Sequence, residues 1–184
     1  MAVLPIRKYG DPILRQKAKP QTVFDEALRA IAADMIETMQ AASGIGLAAN
    51  QVGLPHALCV VEVSLIEEGV APRAFVNPEI VQTSSELATM EEGCLSIPDI
   101  NEDVERNVRI RVRFHDLEGN PHEEEFEGVY ARVLQHEIDH LNGIFFVDRL
   151  SALKRRLLKK KLQVLADETR MEMVSQRGAV GKAV

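Results

Sequence analysis

Between residues 24 and 39 the apolar positions Phe24, Leu28, Ile31, Ala32, Met35, Ile36 and Met39 recur at helical spacing, with charged residues filling the gaps. That period lines one face of an α-helix. Thr22 and Asp25 offer side-chain acceptors for its first turn, and Ser43-Gly44 marks its end. From about residue 57 to 127 the period shortens to two. Val108, Ile110, Val112 and Phe114 alternate with Arg109, Arg111, Arg113 and His115, as in a strand with one buried face. Turn residues at Leu117–Pro121 predict a hairpin returning through His122–Glu127. The acidic run Glu123-Glu124-Glu125 can face the arginines across the sheet, but the preferred reading is a solvated face.

Helical spacing returns over Val129–Leu141 and stops at Asn142-Gly143, where Gly can take the left-handed conformation of a C-terminal cap. Ser151 caps a third helix reaching to about Met173, with Leu153, Leu157, Leu158, Leu162 and Leu165 as its apolar stripe. Residues 174–184 show no pattern and are read as a disordered tail. Pro5, Gly10-Asp11-Pro12 and Pro20 break the first twenty residues into extended segments and turns, and Ser64–Val70 reads as a surface loop. Helix, then strands, then helices is an α+β order: mixed or antiparallel sheets around the central helix, with an N-terminal and a C-terminal helix.

A length of 184 residues with 46 % apolar and 27 % charged residues fits one compact domain, here 1–173, with the C-terminal helix at about 151–173. The net charge of −6 argues against a general nucleic-acid binder, DNA included. Lys154, Arg155, Arg156, Lys159, Lys160 and Lys161 depart from that balance, and a solvated helix face is the simpler account of them. No stretch is apolar for long enough to span a bilayer, and Met1–Lys8 lacks the apolar region of a signal peptide. The two cysteines, Cys59 and Cys94, make no disulfide framework, so a reducing compartment, the cytoplasm, is expected. Cys59 lies in the apolar run Ala57–Val61 and reads as a small buried hydrophobe.

The sharpest chemistry is in Gln135-His136-Glu137-Ile138-Asp139-His140, an H-E-x-x-H pattern on the central helix. Residues four apart share a face, so His136 and His140 can converge on one metal ion. Glu137 then stands beside the metal, able to take a proton from an activated water. A catalytic site needs a third ligand. Phe146 occupies the position where the extended metzincin pattern has its third His, and residues 141–167 contain no Glu for a thermolysin-like ligand. Glu168 and Glu172 would require the last helix to fold back. Cys94, set between Gly93 and Pro98, is the better candidate, since a thiolate with two imidazoles suits a transition metal.

Three segments in order, Gly44–Gln51, Glu92-Gly93-Cys94-Leu95-Ser96 and Gln135–His140, resemble the signature motifs of the peptide deformylase family. Tyr9–Arg15 resembles its N-terminal segment, so the similarity runs from about residue 3 to 150. The resemblance implies hydrolysis of the N-formyl group of formyl-methionine on nascent bacterial polypeptides. It implies Cys94, His136 and His140 as metal ligands and Glu137 as general base and then acid. Gln51, through its side-chain amide, and Leu95, through its backbone N–H, would stabilise the oxyanion. Ile45, Gly46 and Gly93 would pair with the substrate backbone, and Val133 is a candidate for the methionine pocket. The metal implied is Fe²⁺, with Zn²⁺, Ni²⁺ or Co²⁺ as chemically acceptable substitutes. Family members with similar tails suggest ribosome contact through the basic segment 154–161. Other readings of the H-E-x-x-H pattern are a metalloprotease, or a non-enzymatic metal-binding or ribosome-binding module. An intact Glu137 and Gln51 count against the module, since a structural site needs neither.

Overall fold

A computed structural model describes residues 2–66 and 68–180, with side chains described as far as residue 175. Seven strands follow in chain order: β1 (Gly46–Ala48), β2 (Leu58–Val61), β3 (Arg73–Thr83), β4 (Leu87–Cys94), β5 (Ile97–Asn107), β6 (Arg109–His115) and β7 (Pro121–Glu127). Three α-helices accompany them: α1 (Glu26–Ala41), α2 (Gly128–Leu141) and α3 (Ala152–Val180). Five strands form one sheet in the order β1-β2-β3-β6-β7, and β4 and β5 form a second; every ladder is antiparallel.

The predicted alternation holds in β6, where Ile110, Val112 and Phe114 are buried and the arginines between them are exposed. These side chains pack with Phe75, Phe126 and the Ala131, Leu134 and Ile138 face of α2. α2 is thus the core helix, apolar toward the larger sheet, which leaves its other side for polar groups. Cys59 is fully buried in β2, as its apolar neighbours suggest. Met35 and Met39 of α1 pack with Leu47, Leu58 and Val60 on a second cluster. Leu158 and Leu162 of α3 join Leu14, Phe145 and Phe146 in a third.

Several details differ from the sequence expectation. Asp25, not Thr22, is the N-cap of α1, its carboxylate accepting from Leu28 N–H at 3.0 Å. The charges on β6 and β7 are exposed yet paired, because the register puts Arg111 opposite Glu125 and Arg113 opposite Glu123, at 3.6 and 3.2 Å. Arg73 reaches across from β3 to Glu124 at 2.9 Å. On α3 the packed stripe is Leu158, Leu162 and Ala166, while Leu153 and Leu157 are 69 % and 72 % exposed. The wall formed by Leu14 and Phe145 meets the helix on one side only, and five leucines cover more than that side. α3 also continues past Met173 to Val180; residues 181–184 of the expected tail lie outside the described residues. Gly143 takes its predicted cap conformation, with φ 73°.

Candidate metal centre and substrate cleft

The helical period of α2 sets the first two groups of the site. His136 and His140 lie one turn apart on the polar side, their Nε2 atoms 3.2 Å from each other. β4 ends at Cys94 and brings its Sγ to 3.1 Å from His140 Nε2. The three candidate ligand atoms all lie within 4.8 Å of one another. Two imidazoles and a thiol aimed at a common point fit a transition-metal cation, with one coordination position to spare. Phe146, which takes the place of the metzincin histidine, instead stacks on the His136 ring with centroids 6.1 Å apart.

The electrostatics suit a cation as well. Burial resists ionisation of the Cys94 thiol, but His140 and His136 beside it hold its pKa well below the usual 9.0. Burial likewise opposes charge on His136, yet the Cys94 sulfur and the Glu92 carboxylate outweigh it and raise its pKa to about 10. A thiolate and a carboxylate thus create a field that stabilises positive charge at this point.

Glu137 is buried, and burial raises its pKa against the opposing pull of His136 and His140. Its Oε2 has no hydrogen-bond partner among the described residues. A carboxylate raised in this way and left with a spare acceptor is suited to proton transfer. Gly46 in β1 makes the position possible: a Cβ there would lie within 2.9 Å of the Glu137 Cδ and Cγ.

Gln51 is buried in a 3-10 turn, Ala49–Val52, after β1. Ala48 N–H donates to its Oε1 at 2.8 Å, which fixes the amide so that Nε2 points to Ser96 Oγ at 3.2 Å and Cys94 Sγ at 3.6 Å. Leu95 directly follows Cys94, and its carbonyl accepts from Lys8 Nζ at 2.7 Å. A cleft of about 450 Å³ opens onto these groups. Ile45 and Gly46 line it beside β1, Gly93, Cys94 and Leu95 line it at the end of β4, and Val133, His136 and Glu137 line it from α2. The fold therefore gathers every predicted site residue around one cleft except His140, which reaches the site from behind and is 1 % exposed. Strand order leaves β1 at a sheet edge, and among the described residues β4 pairs only with β5.

Beneath the site lies a charged network that motif reading did not single out. Glu92 accepts from Arg106 Nε at 2.6 Å, Arg106 Nη2 at 2.8 Å and Arg132 Nη1 at 2.7 Å, and sits 3.0 Å from His136 Nδ1. Arg106 also donates to Asp139 at 2.7 Å, and Arg149 donates to the same carboxylate. Burial disfavours ionised Glu92, but Arg106 and His136 hold its carboxyl far below the ordinary range. This anchors the His136 ring, as carboxylates behind metal-ligating histidines commonly do. The available signal was Arg132, a charge one turn before His136 on a mostly apolar helix. Arg106 gave none, since its partners come from two other elements.

Residues 3–156 match the family described as polypeptide deformylase. A peptide deformylase of Brucella suis is 49 % identical over 168 residues, covering 91 % of this chain and 96 % of its own. One from Thermotoga neapolitana is 48 % identical and covers 90 % of this chain and 98 % of its own. Among solved structures, the Plasmodium falciparum peptide deformylase superposes with a TM-score of 0.85 at 35 % identity, covering 91 % of this chain and 98 % of its own. That of Thermus thermophilus gives 0.83 at 43 % identity, covering 91 % and 99 %.

Proposed function

This chain belongs to the polypeptide deformylase family, hydrolases acting on N-formyl-methionine peptides, and we propose how its own residues carry that reaction. The family is one of metalloenzymes, and Cys94, His136 and His140 are the residues that would hold the ion. When bound there, a divalent cation supplies Lewis acidity toward water and toward the formyl oxygen. Glu137 takes a proton from the attacking water at its free carboxylate oxygen. As the tetrahedral adduct collapses, Glu137 returns that proton to the leaving amine nitrogen, and formate departs. Charge that develops on the formyl oxygen is met by the Gln51 Nε2 amide and the Leu95 N–H. Donors fixed in advance are worth roughly 2.7–4 kcal/mol each in a comparable site.

The open edges of β1 and β4 face the same cleft, so an extended peptide can add between Ile45-Gly46 and Gly93 by backbone pairing. Val133 offers apolar surface for the methionine side chain. The convergence of Cys94, His136 and His140 beside the buried, under-bonded Glu137 carries the reading. The decisive assay is formate release from a formyl-Met tripeptide by protein loaded with Fe²⁺. Wild type releases formate, Glu137→Ala does not, and Cys94→Ser loses the metal. Metal retention at full rate in Cys94→Ser would remove Cys94 from the ligand set. Internal cleavage of unformylated peptides would instead support a protease.

Family resemblance favours Fe²⁺ as the physiological ion, although the donor set also accepts Zn²⁺, Ni²⁺ or Co²⁺. Metal analysis of protein purified without oxygen tests this, with iron expected in excess. The reaction would take place in the bacterial cytoplasm, where formylated chains emerge; no helix among the described residues is long and apolar enough to cross a membrane. The basic start of α3, with Arg155 and Lys159 exposed, would contact ribosomal RNA near those chains. Charge reversal at both positions should abolish co-sedimentation with ribosomes.

A further inference from the structure

The two groups proposed to meet the formyl oxygen sit on separate parts of the fold. Gln51 lies in the turn after β1 of the five-stranded sheet, and Leu95 at the tip of the β4–β5 hairpin. The Gln51 Nε2 amide links them directly, donating to Ser96 Oγ at 3.2 Å. That amide is itself meant to meet the oxyanion, so a brace that takes no part in the reaction has to come from elsewhere.

Residues 7–9 supply it. Arg7 N–H donates to the Gln51 carbonyl at 2.7 Å, and Tyr9 N–H donates to the Ser96 carbonyl at 2.8 Å. Between them, Lys8 Nζ donates to the Leu95 carbonyl at 2.7 Å. The stretch is tied to the core on both sides. Leu4 N–H donates to Thr38 Oγ1 at 2.9 Å, and the Tyr9 ring packs on Phe145 with centroids 5.1 Å apart. The Lys8 bond falls where the hairpin has nothing of its own. Cys94 pairs with Ile97, so the peptide joining Leu95 to Ser96 is the centre of a two-residue turn and lies outside the ladder. That peptide connects the residue whose N–H is one oxyanion donor to the residue whose hydroxyl orients the other. A charged donor on its carbonyl holds it more firmly than a neutral one would.

We infer that Lys8 is a positioning residue for formyl hydrolysis, its ammonium group clamped on the Leu95 carbonyl so that the two oxyanion donors keep a fixed separation. The inference rests on Gln51 and Leu95 being those donors. Lys8 acts through Leu95 and Ser96, not on the substrate. Charge on the formyl oxygen grows only as water attacks, so a displaced donor raises the barrier and leaves the ground-state complex nearly unchanged. The role of Lys8 therefore shows in kcat and not in KM, whereas a merely structural lysine would move Tm alone.

Formate release from a formyl-Met tripeptide, metal content, Tm and amide hydrogen exchange test this in two variants. Lys8→Met keeps the apolar stem, and Lys8→Arg keeps a charged donor. Lys8→Met should lower kcat by about tenfold or more with KM within about twofold, because a donor displaced by a fraction of an ångström is enough. Its metal content should equal that of wild type. The amide of Ser96, fully buried in wild type and part of the clamped peptide, should exchange about tenfold faster. Lys8→Arg should recover most of the lost kcat. Added to Gln51→Ala, Lys8→Met should cost less than it does alone, since one of the two donors it positions is already gone. An unchanged kcat in Lys8→Met, a rise in KM alone, a fall in Tm with kcat retained, or an equal loss in Lys8→Arg overturns the role of Lys8 and leaves the deformylase reading standing. A wild type that releases no formate overturns that reading, and the role of Lys8 with it.

Discussion

At the scale of single residues, function depends on groups held where water would not hold them. Glu137 is the clearest case, a carboxyl raised by burial with one oxygen unbonded among the described residues. Glu137→Gln keeps the shape and removes the proposed base. It should lower kcat/KM by roughly a hundred- to ten-thousand-fold while metal content stays at the wild-type level. Gly46→Ala tests the approach of β1 to that carboxyl from the other side. Its methyl group would push Glu137 away, and a displacement of about 1 Å should cost roughly a hundredfold in rate with little change in Tm. The ligands carry a third expectation. The pKa of His136 is raised to about 10, and the Cys94 thiol beside it is held well below its usual 9.0. Titration of the metal-free protein at pH 7.5 should release on the order of one proton per ion, measured from the buffer dependence of the binding enthalpy. No release would show that the three groups are not the ligands.

At the scale of elements, the Glu92 network ties β4 and β5 to α2. Glu92→Gln leaves Arg106 and Arg132 with a neutral partner in a buried site, and breaking such a pair typically costs about 3–5 kcal/mol. The folded state depresses the Glu92 pKa below its ordinary 4.5, so the advantage of wild type over Glu92→Gln is complete above that pH. It should shrink as the pH falls below 4.5, which denaturant melts of the two proteins across pH 3–7 would show. α3 offers a plainer contrast between adjacent leucines. Leu158→Ala should cost about 2–5 kcal/mol by opening the core, and the exposed Leu157→Ala within about 0.5 kcal/mol, read from urea midpoints.

At the scale of the whole molecule, the candidate metal centre joins parts of the chain that are far apart. Cys94 belongs to the small sheet and His136 and His140 to the core helix, so an ion bound by all three clamps the two layers together. Chelation should therefore lower the Tm as well as stop formate release, and adding metal back should restore both.

Much of this was legible from residue order alone. The period of two in β6, the helical spacing of α1 and α2, and the four-residue gap between His136 and His140 each report a local geometry that the backbone fixes by itself. So does the reading of Phe146 as unable to ligate, and with it the search for another ligand that reached Cys94. Tertiary structure decided what depends on partners distant in sequence. Burial of Glu137 requires Gly46 of an edge strand, and the His136 ring is held by Glu92, itself held by Arg106. No pattern along the chain encodes those contacts, because their energy appears only when separate elements meet. The same holds for α3, where the sequence offered a single stripe of leucines. Packing against Leu14 and Phe145 divided them, burying Leu158 and Leu162 and leaving Leu153 and Leu157 in water.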